Sequence, residues 1–305
     1  MDFGLALPNY RAGSSVEGIE AAAEAAERLG YTTVWSTDHL AIDRANADEY
    51  GRIFEAILTL AHVGARTTHV RLGASVVVVP MRPAVVVAKE LATLDVLSRG
   101  RLIAGVGVGW NATEFDSVGA ADRFHVRGAY TDEAIRLWRH LWSGSTEPFR
   151  GRFNDLTDYV FEPLPTQSGG PPIVVGGGSE AACNRAGTLG DGYHFSAAGP
   201  ASLSRRVALV REAAKTAGRP MPPISGRARL EFDVTSGSGY AMRGSPEAVA
   251  AEVRAFRDVG VSHLVVAIGP TEPEGYVPVA ERFMRDVVPL VEAQLETPVE
   301  GTPVS

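Results

Sequence analysis

Short apolar, β-branched segments alternate about eight times with longer segments of helical periodicity along this chain of 305 residues. The apolar segments read FGLAL, TTVWS, VRLGASVVVV, GRLIAGVG, PPIVVG, DGYHFS, RARLEFDVT and HLVVAI. Such alternation is typical of parallel βαβ construction. Strand–helix pairs spread over the whole chain favour one closed barrel over an open doubly wound sheet, and such a barrel needs roughly 250 residues. The sequence therefore predicts an α/β fold with a single (β/α)8 TIM barrel.

A predicted helix follows each of these segments. The first predicted helix begins near Ser15, the second covers 54–65 and the third begins at Pro83. The other five cover 127–142, 179–189, 201–217, 246–259 and 279–295. Ser15 is a suitable N-cap and Gly30 a suitable end for the first helix. Pro83 suits a first helical turn because its missing N–H is not needed there.

Two segments depart from the repeat. Residues 144–170 alternate like a hairpin followed by a proline-rich connection, which predicts an insertion after the fourth strand–helix unit. Residues 297–305 are polar and proline-rich, which predicts a mobile C-terminal tail. The predicted barrel domain therefore covers residues 1–296 and includes the insertion.

Charge and cysteine content exclude several classes of protein. The formal net charge is −7 and the chain has no basic stripe, so we expect no nucleic-acid partner. Its apolar runs are far shorter than the ~20 residues that span a bilayer, so we expect no membrane insertion. Cys183 is the only cysteine, which excludes intrachain disulfides and multi-cysteine zinc sites, and we expect no metal site. With no signal-peptide pattern in MDFGLALPNYR, we expect a cytoplasmic protein.

In a TIM barrel the loops after the strands form the active face, so polar residues at predicted strand ends are candidates for function. Asp38 and His39 follow the second predicted strand in the stretch VWSTDHLAI. Histidine titrates near neutral pH and can transfer a proton at little cost. The alternative is a capped loop with a solvated histidine.

The stretch GVGVGWNATEF, residues 105–115, follows the fourth predicted strand. Its alternate glycines permit close backbone approach to a planar ligand, or tight packing at the barrel rim. It is not a Rossmann fingerprint, because the third glycine and the immediate helix are missing. Trp110 either covers the barrel mouth or contacts a cofactor.

The stretch VVGGGSEAACNRAG, residues 174–187, leads from a strand through Gly176, Gly177 and Gly178 into a helix that begins at Ser179. Free N–H groups at the N-terminus of a helix form a ready phosphate site. Glycine-rich turns also occur as mere connections. At the end of a barrel strand, however, the pattern indicates a phosphorylated cofactor.

Taken together, these stretches and the run GSPEAVAAEVRAFRDVGVSHLVV resemble the luciferase-like monooxygenase superfamily, and more closely its branch that uses the deazaflavin coenzyme F420. The resemblance spans nearly the whole chain. It implies a barrel with an insertion, usually dimeric, that holds a tricyclic ring at its C-terminal face. Asp38 and His39 match the ring-side pair of that family, with His39 as proton donor or acceptor and Asp38 positioning the loop or the ring.

The resemblance also assigns the remaining cofactor contacts. Ser75 and Val76 match a bulge behind the ring, where the peptide bond is expected to be cis although no proline is present. The other matches are in the strand-four loop, at Val108 and Gly109, and in the phosphate loop, at Gly177, Gly178 and Ser179.

One departure bears on the substrate. Where the sugar-phosphate dehydrogenases of this branch carry a catalytic glutamate, this chain has Trp110, with Glu114 further on, which argues against sugar-phosphate oxidation. The resemblance implies an oxidoreductase that transfers hydride between F420 and a small organic substrate. An FMN-dependent monooxygenase using reduced flavin and oxygen is the alternative. A barrel that only binds cofactor is a third possibility, against which the presence of His39 argues.

Overall fold

Eight strands of the protein pair in parallel and close into a barrel. The computed structural model describes residues 1–11, 13–269 and 273–293. Within those ranges the strands are β1 (Asp2–Ala6), β2 (Thr33–Ser36), β3 (Arg71–Ala74), β4 (Val77–Val78), β5 (Leu102–Gly107), β6 (Phe149–Arg150), β7 (Asp155–Leu156), β8 (Ile173–Gly176), β9 (Gly192–Ser196), β10 (Ile224–Phe232), β11 (Met242–Gly244) and β12 (Val261–Ile268).

The barrel strands run in the order β1, β2, β3, β5, β8, β9, β10 and β12, and β12 pairs again with β1. The short strand β4 continues β3 after Ser75 and Val76 and pairs with β5, while β11 pairs with the end of β10. The described residues therefore form a closed ring of eight parallel strands. This confirms the predicted (β/α)8 barrel.

Helices surround this ring. They are α1 (Val16–Leu29), α2 (Ala47–Tyr50), α3 (Ala56–Arg66), α4 (Ala84–Leu97), α5 (Ala112–Ser117), α6 (Arg127–Trp142), α7 (Glu180–Leu189), α8 (Pro200–Thr216), α9 (Pro246–Asp258), α10 (Pro273–Arg282) and α11 (Val288–Glu292). The predicted caps of α1 are confirmed: the Ser15 hydroxyl accepts from the Gly18 amide at 3.0 Å, and Gly30 ends the helix with φ 85°. Pro83 is the N-cap of α4 rather than its first residue.

The last predicted helix began too late. It was placed at 279–295, whereas α10 begins at Pro273 and runs through Pro278 before a π-helical turn at Phe283–Val287. A proline removes one helical hydrogen bond, which usually marks a boundary. Here Tyr276 and Ala280 are buried in the core, and the Tyr276 hydroxyl donates to the Ala6 carbonyl. This packing offsets the lost bond.

The segment between α6 and β8 contains the predicted hairpin, formed by the antiparallel pair β6 and β7. The turn of this hairpin is held by Glu133 of α6. The Glu133 carboxylate accepts hydrogen bonds from the backbone amides of Arg152, Phe153 and Asn154 at 2.6, 2.9 and 2.8 Å. The domain limits of 1–296 stay a prediction. The predicted tail at 297–305 lies outside the described residues.

Candidate functional site

The carboxyl ends of the barrel strands surround a cleft of about 630 Å³. All the site residues predicted from the sequence line this cleft: Asp38, His39, Ser75, Val76, Val108, Gly109, Trp110, Gly176, Gly177, Gly178 and Ser179. The structure therefore brings them together at the active face of the barrel, while their roles stay predictions.

His39 is hydrogen-bonded to a buried glutamate. Its Nδ1 lies 2.8 Å from Glu114 Oε2, and the Leu40 and Ala41 amides donate to Glu114 Oε1 at 2.6 and 3.3 Å. Burial raises the pKa of Glu114, but the hydrogen bonds from His39 and the two amides outweigh it and hold the pKa below its ordinary value. An ionised carboxylate only accepts hydrogen bonds, so Nδ1 carries the proton. This leaves Nε2 for a ligand in the cleft.

The carboxylate of Asp38 is occupied by neighbouring protein groups. It accepts from the Val78 amide at 2.8 Å and from both terminal nitrogens of Arg82, each at 2.8 Å. Arg82 also donates to Glu55 at 2.8 Å. Burial lowers the pKa of Arg82, but the two carboxylates raise it above its ordinary value. Of the two roles expected for Asp38, these contacts favour positioning the loop.

The Ser75–Val76 peptide is cis, as the resemblance implied. Glycines on the neighbouring strands make room for this segment. A Cβ atom on Gly176 would lie 2.6 Å from Val76 Cγ1, and one on Gly107 would overlap Val76 Cγ2. Gly109 has φ 75°, a left-handed conformation that favours glycine, and packs against Val78. Close packing at the rim therefore accounts for these glycines.

The glycine turn, residues 176–179, leads from β8 into α7. No hydrogen bond in the described part of the chain uses the amides of Gly177, Gly178 or Ser179. The Ser179 side chain caps α7 by accepting from the Ala182 amide at 3.2 Å. Three amides next to the positive end of a helix dipole form an environment that favours an anion.

Two arginines could contribute to anion binding: Arg206 adjoins the glycine turn, and Arg127 lines the same cleft. A Cβ atom on Gly178 would lie 2.9 Å from Arg206 Cζ, so the guanidinium adjoins the turn. Among the described residues, no carboxylate lies within 4.0 Å of Arg206. Arg127 lines the cleft, and its buried Nε has no hydrogen-bond partner within the described ranges. Both features fit a phosphate group.

Trp110 is 53% exposed and meets His39 edge-on, with 5.9 Å between ring centroids. It therefore lies at the mouth of the cleft and partly shields His39 from solvent. Its role in cofactor binding stays a prediction.

Several cleft residues were missed from the sequence. Arg227 of β10 donates to Thr37 Oγ1 at 2.7 Å and to the Tyr10 hydroxyl. Tyr10 stacks on Tyr50 at 5.7 Å between centroids, and Tyr50 packs on His39 at 4.4 Å. The signal for Arg227 was present in the strand ISGRARLEF, whose charged residues recur at every second position and so point to one side.

A second buried histidine lies beneath the Ser75–Val76 segment. His194 Nε2 is 2.9 Å from Ser75 Oγ, its Nδ1 is 3.0 Å from Ser225 Oγ, and its ring stacks on Trp35 at 4.4 Å. Burial, together with the nearby His263 and Arg227, lowers the pKa of His194 to about 3. His194 is therefore neutral at physiological pH and supports the segment through hydrogen bonds.

We expect the free energy of unfolding to decrease as the pH falls from 7 to 5. The pKa of His194 is 6.5 in the unfolded chain and about 3 in the folded protein. Between these two pH values the unfolded chain binds a proton at His194 that the folded protein does not. This difference should cost about 2 kcal/mol between pH 7 and pH 5, and His194→Asn should remove this part of the pH dependence. Urea unfolding at pH 7, 6 and 5 measures it. An unchanged pH slope in the variant would contradict the assigned pKa.

In the described ranges, no group of three or more His, Cys, Asp or Glu side chains is arranged to hold a metal ion. None of the helices described is both long enough and apolar enough to span a membrane.

Comparison with known sequences supports the resemblance. The family described as luciferase-like monooxygenase matches residues 1–294. An uncharacterised protein of Mycobacterium tuberculosis strain H37Rv is 31% identical, with 82% of this chain and 87% of that protein covered. The F420-dependent hydroxymycolic acid dehydrogenase of the same strain is 31% identical, with 68% of this chain and 56% of that protein covered.

Solved structures share the fold. An F420-dependent secondary alcohol dehydrogenase in complex with an F420–acetone adduct has a TM-score of 0.81 at 19% identity, covering 95% of this chain and 98% of that one. The oxygenating constituent of 3,6-diketocamphane monooxygenase from Pseudomonas putida, in complex with FMN, has a TM-score of 0.77 at 16% identity, with the same coverage. Together with the match over residues 1–294, the closed barrel shows that the chain belongs to the luciferase-like monooxygenase family.

Proposed function

We propose that the protein is an oxidoreductase that transfers hydride between coenzyme F420 and a small organic substrate. The observation that carries the proposal is the His39–Glu114 pair, in which a buried carboxylate holds a histidine at the cleft. The F420-dependent dehydrogenases among the relatives support this choice of cofactor.

The residues present fit the phosphate of such a cofactor. The free amides of the glycine turn, the Arg206 guanidinium and the unpartnered Nε of Arg127 together provide positive charge and hydrogen-bond donors. We assign the end of the cleft at the glycine turn to the cofactor phosphate. The Ser75–Val76 segment, supported by His194, would then help to hold the ring of the bound cofactor.

His39 is assigned the proton transfer that accompanies hydride transfer. When bound, the deazaflavin ring supplies two-electron hydride chemistry that disfavours reaction with oxygen. Glu114 keeps the Nδ1 proton of His39 in place, so Nε2 can accept the proton of a substrate hydroxyl or, when protonated, return it to a carbonyl. Glu114 thereby acts as a positioning residue.

An FMN-dependent monooxygenase is the second candidate. A solved structure with the same fold holds FMN, and the glycine turn would accept the phosphate of FMN as readily as that of F420. The chemistry of the ring, rather than the phosphate site, separates the two proposals. Assembly as a homodimer and location in the cytoplasm stay predictions.

Titration of the apoprotein with F420 and with FMN tests the proposal. We expect F420 to bind more tightly. Replacing Arg206 by Met should weaken binding about 10–100-fold, because a charge-assisted hydrogen bond to phosphate is lost. The control is Arg205→Met, which removes an exposed neighbouring charge on α8. Tight FMN binding without any response to F420 would overturn the proposed cofactor, and equal effects of the two variants would overturn the role of Arg206.

A further inference from the structure

Arg227 places a positive charge in the cleft without a carboxylate partner. It is half-buried, and within the described residues no Asp or Glu oxygen lies within 4.0 Å of its guanidinium. Glu49, which also lines the cleft, is paired with Arg11 at 3.1 Å. The Thr37 and Tyr10 hydroxyls accept from two terminal nitrogens of Arg227, which leaves N–H donors unused.

The charge of Arg227 is retained despite its burial. Burial lowers the pKa of Arg227, but the surrounding Tyr10, Tyr50 and Tyr276 side chains and the Glu49 carboxylate raise it above its ordinary value. A partly desolvated cation is costly unless an anion or several acceptors compensate it. Two neutral hydroxyls compensate only part of that cost. The remaining donors are therefore suited to an anionic ligand.

Arg227 lies on β10, two strands from β8 in the ring, but its guanidinium extends away from the glycine turn. In the closed ring of eight, β1 lies opposite β8, which leads into the glycine turn. The Arg227 guanidinium is held by Tyr10, which follows β1, and by Thr37, which follows β2. It therefore faces the side of the cleft away from the glycine turn. Arg227 is poorly placed for the cofactor phosphate.

Arg227 is instead connected to His39. Thr37 precedes His39 by two residues, and Tyr50 packs between Tyr10 and His39. A ligand that contacts Arg227 thus lies on the His39 side of the cleft, where the proposed function places the reacting carbon of the substrate. The planar guanidinium binds a carboxylate with matching geometry.

We propose that Arg227 binds the carboxylate of the substrate, so that the enzyme acts on small hydroxy acids or the corresponding keto acids. The inference rests on the proposed function and specifies its substrate class. In the oxidising direction the hydroxyl proton passes to His39 Nε2, the hydride of the adjacent C–H bond passes to oxidised F420, and the C–O bond becomes C=O. The carboxylate is unchanged and serves to orient the substrate.

Matched pairs of probes test this inference without relying on turnover. Mandelate is compared with 1-phenylethanol, and 2-hydroxybutanoate with 2-butanol, because a methyl group replaces the carboxylate in each pair. Calorimetric binding is measured with and without bound F420. We expect the wild-type protein to prefer the acid of at least one pair. Arg227→Met should weaken binding of that acid about 10–100-fold and leave binding of its alcohol unchanged.

Two further variants separate substrate binding from loop attachment. Arg227→Lys retains the charge and should recover part of the preference for the acid. Arg229→Met is the control, because Arg229 also lines the cleft but its charge is paired with Glu231 at 2.9 Å. Its removal should not change the preference. Melting temperatures confirm that each variant is folded.

The inference is overturned if the wild-type protein prefers neither acid, or if Arg227→Met weakens the acid and the alcohol equally. In the second case Arg227 only attaches the loops through Thr37 and Tyr10. If the wild-type protein binds F420 but prefers neither acid over its alcohol, this inference alone is refuted. Intact discrimination without F420 binding would refute the proposed cofactor alone.

Discussion

Replacing His39 by Ala should lower turnover by about 10²–10⁴-fold, the range expected for loss of a general acid or base. His39 is 7% exposed and its Nδ1 is held by Glu114, so Nε2 is the ring nitrogen available to take the proton. The measurement is the steady-state rate of F420 reduction, combined with the dissociation constant for F420. We expect the rate to fall while the dissociation constant changes little.

His62→Ala is the matched control for that variant. His62 also pairs with a glutamate, Glu20, at 2.7 Å, but it lies on α3 away from the cleft. The control should keep wild-type turnover. Unchanged turnover together with weaker F420 binding in His39→Ala would show that His39 is a binding residue. Glu114→Gln should shift the pH profile of turnover, because an amide can also donate and no longer keeps the proton on Nδ1.

Replacing Gly105 by Ala should destabilise the protein by about 3 kcal/mol, at the upper end of the cost of overpacking a core. A Cβ atom on Gly105 would overlap the carbonyl oxygen of Ala74, and a backbone atom in a closed barrel cannot turn away as a side chain can. Ala74 immediately precedes Ser75, which lines the cleft, so the displacement should also reach the cleft. Urea unfolding measures the change in free energy.

Gly119→Ala is the control for the effect of Gly105. Apart from its chain neighbours, no heavy atom of the described residues lies within 4 Å of the position that a Cβ would take on Gly119, so its left-handed backbone conformation, with φ 70°, is what opposes the change. That cost is about 1–2 kcal/mol. Equal destabilisation by the two substitutions would show that the barrel accommodates an alanine side chain at position 105. The close approach of Gly105 to Ala74 would then be unimportant.

Much of the fold was predictable because its signals are local. The alternation of apolar and helical segments identified the barrel, and α6 occupies the predicted residues 127–142. The Ser15 cap and the glycine turn were readable because a cap, or a strand–glycine–helix junction, involves residues adjacent in the chain. The last helix was mispredicted because Pro278 locally disfavours a helix, whereas packing against core residues distant in the chain stabilises one.

The sequence by itself therefore determined the elements, their order and the strand ends at which polar side chains emerge. The tertiary structure alone decided which of those side chains meet: Glu114 with His39 across 75 residues, and Arg227 with Tyr10 across 217. The physical reason is that local periodicity specifies the direction of a side chain relative to its own strand. Contacts between distant strands are specified only when the barrel closes and fixes their register.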